Sequence, residues 1–376
     1  MTALSRSTAW LAVAATSLAV AACSPPAKDS SGSSGTAGNT AATATSAKDV
    51  GGMDALVAAA KKEGTLNVIA LPPDWANYGA IITAFGDKYG IKVNSAQPDA
   101  SSADEITAAD RLKGQSGAPD VFDLGATVAA ANTAKFAPYK VATFESVPAD
   151  FKDAGGLWVN DYGGYMSVGY DSSKVPAPTA FADLLKPAYK GKVALNGNPT
   201  QAGAAFAGVQ MASIASGGSA GDVTKGVDFF KKLKAAGNFI PVDPTPATIA
   251  SGQTPVVIDW DYLNAAQTAK IPTWKVYVPE GAVVAGYYVQ AVNKDAPHPA
   301  AARLWQEFLY SDEGQNLWLK GGARPVRFDD MKTAGTLDAT AAAALPPVTG
   351  TPVVPTAAES DTAKTYLAKE WANAVG

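Results

Sequence analysis

The stretch WVNDYGGYMSVGYDSS, residues 158–173, decides how the chain is read. It stands where the alternation of strands and helices pauses, and a flexible linker would be the ordinary occupant of such a place. Its residues are instead strand-forming, with a glycine pair at Gly163 and Gly164. A structured, glycine-bearing strand at that point suits a crossing between two blocks of the fold, with a hinge in it.

On its N-terminal side, MDALVAAAKKEG places apolar residues at helical spacing and ends in Gly64, a C-cap. TLNVIAL then reads as a strand, DWANYGAIITAFGDKYG as a helix, IKVNSA as a strand, ADEITAADRLKGQSG as a helix and PDVFDLG as a strand. On its C-terminal side, KVALNG and TPVVIDW read as strands, and TQAGAAFAGVQMASIAS and DVTKGVDFFKKLKAAGN as helices. VVAGYYVQAV is a late strand suited to a return crossing, and HPAAARLWQEFLYSDEGQNLWLKGG gives two helices. LPPVTGTPVVPTAAES is a proline-rich loop before a final short helix. The alternation predicts an α/β fold with a largely parallel sheet, in two blocks.

The 376 residues suffice for two domains, and 47% apolar composition allows a sizeable core. The net charge of −4 with scattered Lys and Arg argues against a nucleic-acid surface. One cysteine precludes an internal disulfide or a cysteine-rich zinc site, and one histidine precludes a multi-histidine metal centre. His298, between prolines at a helix start, reads as a capping or surface residue. No metal and no cofactor is expected.

Residues 1–22 read as a signal peptide: Arg6 supplies the positive charge and Ala9 to Ala22 the apolar run, which is short for a spanning helix. VAAC, Val20 to Cys23, resembles a bacterial lipobox, which implies cleavage before Cys23 and lipid on its thiol. Small and polar residues follow, so residues 23–50 are expected to be anchor and flexible tether. The body then works outside the cytoplasmic membrane, lipid-anchored at its outer face.

Three segments carry a family resemblance: ALVAAAKKEGTLNVIA; VNDYGGYMSVGYDSSKVPAPTAFADLLKPAYKGKVAL; and PHPAAARLWQEFLYSDEGQNLWLKGGARPVR. In order and spacing they resemble the extracellular solute-binding proteins of bacterial ABC importers. The resemblance is to the group with spermidine/putrescine-, iron- and phosphonate-binding members, over roughly residues 52–330. It implies a two-lobed periplasmic-binding-protein fold, type II-like, with the ligand in the interlobe cleft and lobes that close over it. The expected division is 51–160 for lobe 1, 161–286 for lobe 2, and 287–376 for the return crossing and C-terminal helices, part of which rejoins lobe 1. The implied partners are a small solute, ABC permease subunits and, through Cys23, the membrane surface; the protein is expected to act as a monomer and not as an enzyme.

Ligands in α/β sheets sit beyond the carboxyl ends of the strands, and that rule selects the candidate contacts. The loop after TLNVIAL offers Asp74, Trp75, Asn77 and Tyr78, with Asp74 also a candidate N-cap. The loop after PDVFDLG leaves Asp123 open between cleft and cap. The crossing offers Asp161 and Tyr162 beside the glycine pair. Thr200 and Gln201 stand at an expected helix start, where free N–H groups favour an anion.

IDWDYLN offers Trp260 and Asp261, with the strand expected to end near Asp259 and Asp261 to cap the next helix. An indole face and a carboxylate suit an ammonium group. Iron-binding relatives use adjacent tyrosines, and Tyr287 and Tyr288 are adjacent here, but neighbouring strand residues face opposite ways. The favoured solute is a polyamine-like or other amine-bearing cation. The alternatives are a phosphonate- or carboxylate-bearing zwitterion, ferric ion, and, in a different class, a secreted hydrolase using two carboxylates.

Overall fold

The computed structural model describes residues 37–376, with side chains from residue 40 onward. The signal peptide, Cys23 and the first part of the tether lie outside the described residues. Among these, no helix is long and apolar enough to cross a membrane.

The described residues form ten strands: β1 (Thr65–Ile69), β2 (Lys92–Ala96), β3 (Val121–Gly125), β4 (Phe136–Ala137), β5 (Val159–Asp171), β6 (Val193–Leu195), β7 (Val256–Trp260), β8 (Trp274–Tyr277), β9 (Ala285–Asn293) and β10 (Arg324–Pro325). The opening stretch is a single strand, β5, and it serves two sheet regions. Between Val159 and Tyr165 it pairs with β9, and from Met166 to Tyr170 with β7. β10 pairs beside Tyr162 and Gly163, and β8 beside Val168 to Asp171. The main order is β3-β9-β5-β7-β6, while β1 and β2 form a separate parallel pair. β5 is thus the crossing, and β9 runs back beside it.

The expectation of a largely parallel sheet is corrected. β1–β2 and β6–β7 are parallel, but every pairing made by β5 and β9 is antiparallel. The two crossing strands run in opposite directions past each other, and each imposes that sense on its neighbours.

The glycine pair has a steric reason. A Cβ at Gly163 would collide with the Gly286 carbonyl and the Tyr287 ring, and one at Gly164 with Asp261 and Tyr262. The crossing therefore lets β9 and the helix Asp261–Thr268 approach its backbone directly.

Helix Met53–Glu63 ends on Gly64 in the left-handed conformation, as its sequence predicts, and packs against helix Pro299–Leu309. Glu63 accepts the N–H groups of Ala300 and Ala301 at the start of that helix. His298 holds the N-cap position, its Nδ1 2.9 Å from the buried Asp120 carboxylate.

Residues 37–50, expected as part of the flexible tether, are instead docked on the body. Ala37–Thr43 is helical, Ala41 and Ala44 are buried, and the buried Arg303 donates to the carbonyls of Ala42 and Ala44. Small side chains cannot build a core, but they allow close packing, and the guanidinium satisfies carbonyls at the helix end.

The final helix is also longer than its proline-rich approach suggests. Ala357–Val375 has 19 residues and packs against Thr224–Ala235, with Trp371 against Phe230 at 5.2 Å. The C-terminal region is therefore divided: helix Pro299–Leu309 packs with β1 and β9, the last helix with the block carrying β6 and β7.

Candidate functional site

Residues within or just after β1, β5, β7 and β9 converge on a cluster of aromatic rings. Trp75 follows β1, Tyr162 lies on β5, Tyr288 on β9, and Tyr262 in the first turn after β7. Tyr162 and Tyr288 stack at 5.4 Å, and Trp75 meets Tyr288 and Tyr262 edge-on at 5.8 and 6.1 Å. Trp260 stacks on Tyr262 at 6.4 Å. Its ring rests on Gly286, where any Cβ would collide with it. Behind Tyr162 stand Tyr78 and Trp318. Trp75 Nε1 donates to the Tyr162 hydroxyl at 2.8 Å, and that hydroxyl donates to Asp123 Oδ2 at 3.3 Å.

Two carboxylates reach this cluster from opposite sides of the crossing. Asp123 lies in β3 and Asp259 in β7, each more than nine-tenths buried. Asp259 accepts Asn196 Nδ2 at 2.8 Å and the Trp260 N–H at 2.8 Å. Asp123 Oδ1 is buried without a partner, as are the Tyr262 hydroxyl and Trp260 Nε1. Burial pushes the Asp123 carboxyl up to about 7 against the pull of Tyr78, Tyr162 and Gln290. It pushes Asp259 to about 7 against Asn196 and the Trp260 N–H. Among the described residues neither forms an ion pair. Arg324 is engaged with Asp261 and lies over the Tyr165 ring at 4.3 Å. The site is aromatic, buried and short of positive charge.

The predicted contacts divide. Trp75, Tyr162, Tyr288 and Trp260 meet in the cluster, and Tyr78 supports it through Gln290, which donates to the Tyr78 hydroxyl at 3.0 Å. Asp74 is exposed at the rim and caps nothing, since the helix starts at Tyr78. Asn77 holds the N-cap position in a left-handed conformation, and its side chain is tied to the Leu317 carbonyl at 2.7 Å. Asp161 is consumed inside the sheet by the Tyr162 N–H and by Gln290.

Thr200 and Gln201 are exposed, two residues ahead of a helix that begins at Gly203; the Thr200 N–H and hydroxyl turn back onto Asn198. Asp261 is not an N-cap: β7 runs through Trp260, which takes that position, and Asp261 accepts the Tyr165 N–H and pairs with Arg324. Tyr287 faces away from Tyr288 and packs on Phe151 at 4.8 Å, as strand alternation requires. No group of three or more His, Cys, Asp or Glu able to hold a metal occurs among the described residues.

Tyr262 and Asp259 were missed as contacts. Asp259 lies in β7 beside Trp260, and Tyr262 in the first turn of the helix that follows, where no local pattern marks its ring as part of the cluster.

No curated protein matches the sequence. The fold is shared with solved structures at low identity. The AgtB binding protein of A. tumefaciens R10, in complex with agropinic acid, is 16% identical, with 83% of this chain and 98% of that one covered, at a TM-score of 0.65. A ferric binding protein from Campylobacter jejuni is 18% identical, over 82% of this chain and 99% of that one, at 0.62. A putative spermidine/putrescine ABC transporter from Listeria monocytogenes is 14% identical, over 81% and 99%, at 0.59. These likenesses establish the periplasmic-binding-protein fold. Residues 115–348 match the sequence profile described as bacterial extracellular solute-binding protein, and the chain belongs to that family of binding proteins.

Proposed function

We propose that the protein captures a small amine-bearing cation between its lobes and delivers it to an ABC permease. The observation that carries this reading is the pair Asp123 and Asp259, buried among aromatic rings with no cationic side chain paired to either. An ammonium group supplies the missing charge and donates to the free Asp123 oxygen. The rings of Trp75, Tyr162, Trp260, Tyr262 and Tyr288 offer faces for cation–π contact along an alkyl-amine chain. In the same reading the body is held at the outer face of the cell membrane by lipid on Cys23 and acts as a monomer.

A thermal-shift series on the purified body tests the ligand class. Putrescine, spermidine, an aminoalkylphosphonate and ferric citrate are compared at equal concentrations. A diamine or polyamine should raise the melting temperature; at one hundred times its Kd the stabilisation is about 2.7 kcal/mol. A shift with ferric citrate alone, or with the phosphonate alone, sinks the amine reading. Mass spectrometry of material that co-purifies with the protein gives an independent answer.

A further inference from the structure

Asp123, at the centre of β3, and Asp259, in β7, stand on opposite sides of the crossing strand, in the two sheet regions that it joins. Parting these two regions about β5 would expose both to water, and closing them would remove both from it. In the arrangement described, Asp123 and Asp259 are 7% and 6% exposed. The polar groups that act on them are all neutral: Tyr162, Tyr78 and Gln290 for Asp123, and Asn196 with a backbone N–H for Asp259. The Tyr262 hydroxyl, fully buried and unpartnered beside both, marks a position that a ligand would complete.

We propose that Asp123 and Asp259 gate closure by charge: with the cleft empty at neutral pH the two carboxylates hold the lobes apart, and a bound ammonium group licenses closing by neutralising them. This rests on the amine-binding reading of the site. Burying two unpaired carboxylates is unfavourable by more than neutral donors return, so closing without a cation is penalised. A permease that reads the closed form is then spared engagement by an empty protein.

Other groups facing the pair reinforce the sign. On the Asp123 side stand Tyr78 from helix Tyr78–Tyr89, Glu105 from helix Ser102–Arg111, Tyr162 and Asp161 from β5, and Tyr288 from β9. On the Asp259 side stand Tyr262 and Tyr288. None brings positive charge, and Arg324 is bound to Asp261. Protons are the one substitute for the cation. Both carboxyls are pushed up to about 7 by burial, so mild acid should close the empty lobes.

Small-angle X-ray scattering of the ligand-free body tests the gate. The radius of gyration should shrink between pH 8 and pH 5 in the unaltered protein, and an Asp123→Asn/Asp259→Asn variant should already be compact at pH 8. The proposal is overturned if the radius does not change with pH, or if the double variant stays extended at pH 8 and contracts with acid as before. The acid titration needs no variant, so poor folding of the double variant does not protect the idea. Putrescine at pH 8 is the parallel arm and should contract the unaltered protein. If acid and the substitutions contract it but neither putrescine nor spermidine does, the gate stands and the amine reading fails.

Discussion

The Tyr262 hydroxyl is buried without a hydrogen bond, beside Asp123 and Asp259. Such a group is unfavourable in the folded protein unless something else completes it. Tyr262→Phe should therefore leave stability unchanged or raise it by about 1 kcal/mol, while weakening amine binding by about 0.5–1.5 kcal/mol. Urea melts and calorimetric titration read the two effects separately, and equal binding by the variant would remove Tyr262 from the ligand's contacts. His298 makes a different prediction. Its contact with Asp120 raises it above its ordinary 6.5, while burial raises Asp120 against the pull of His298. A raised histidine stabilises the fold fully below its unfolded value and loses that contribution as pH rises through the folded one. The Tm should fall from pH 6 to pH 8.5, and His298→Gln should flatten part of that fall. Asp123 and Asp259 act in the same direction while the lobes stay closed, because raised carboxyls lose stability as pH rises from 3.8 toward 7. Asp259→Asn tests their share.

At the scale of elements, the loop after β1 stores strain. Ala70, Ala76 and Asn77 all have positive φ, at 57°, 46° and 68°. Alanine in that region is unfavourable by about 1–2 kcal/mol, and the loop's product is the placement of Trp75. Ala76→Gly should raise stability by up to about 1 kcal/mol and reduce amine affinity, since a relaxed loop no longer fixes the indole. An affinity that rises with the stability would contradict that link. Such strain is illegible in PPDWANYG, which reads as an ordinary helix entry with Asp74 as cap. The regular elements were legible because their signals are local: periodicity and Gly64 for Met53–Glu63, and apolar runs for β1, β3 and β7. The crossing was legible because WVNDYGGYMSVGYDSS is too strand-like for a linker. Strand sense, the docking of Ala37–Thr43 and the length of the last helix depend on partners remote in sequence, and no local pattern announces them.

For the whole molecule, the chain passes between the lobes three times. β5 and β9 are two passes. The third runs from helix Ala339–Ala343, which packs on Asp312–Lys320, to the last helix on the other lobe. On its way the Val353 N–H donates to the Val283 carbonyl at 2.7 Å, and its carbonyl accepts the Ala285 N–H at 2.8 Å. The final helix starts with a reciprocal cap between Thr356 and Glu359 and buries Leu367 and Trp371. Trp371→Ala should lower the unfolding free energy by about 3 kcal/mol and loosen the second lobe first. Hydrogen exchange should then rise in Thr224–Ala235 before it rises in Met53–Glu63, and simultaneous loss of both would show that the lobes unfold as one unit.

The aromatic cluster has an optical consequence. Of the eight tryptophans, Trp75 and Trp260 lie within it and Trp318 packs on Tyr162 from behind. Indole emission responds to nearby water and to hydrogen-bonded or charged neighbours, and Trp75 is tied to the Tyr162 hydroxyl on the crossing strand. If the solute is captured at this cluster as proposed, intrinsic emission should shift on binding without any attached dye, and an unchanged spectrum at saturating ligand would place the solute elsewhere.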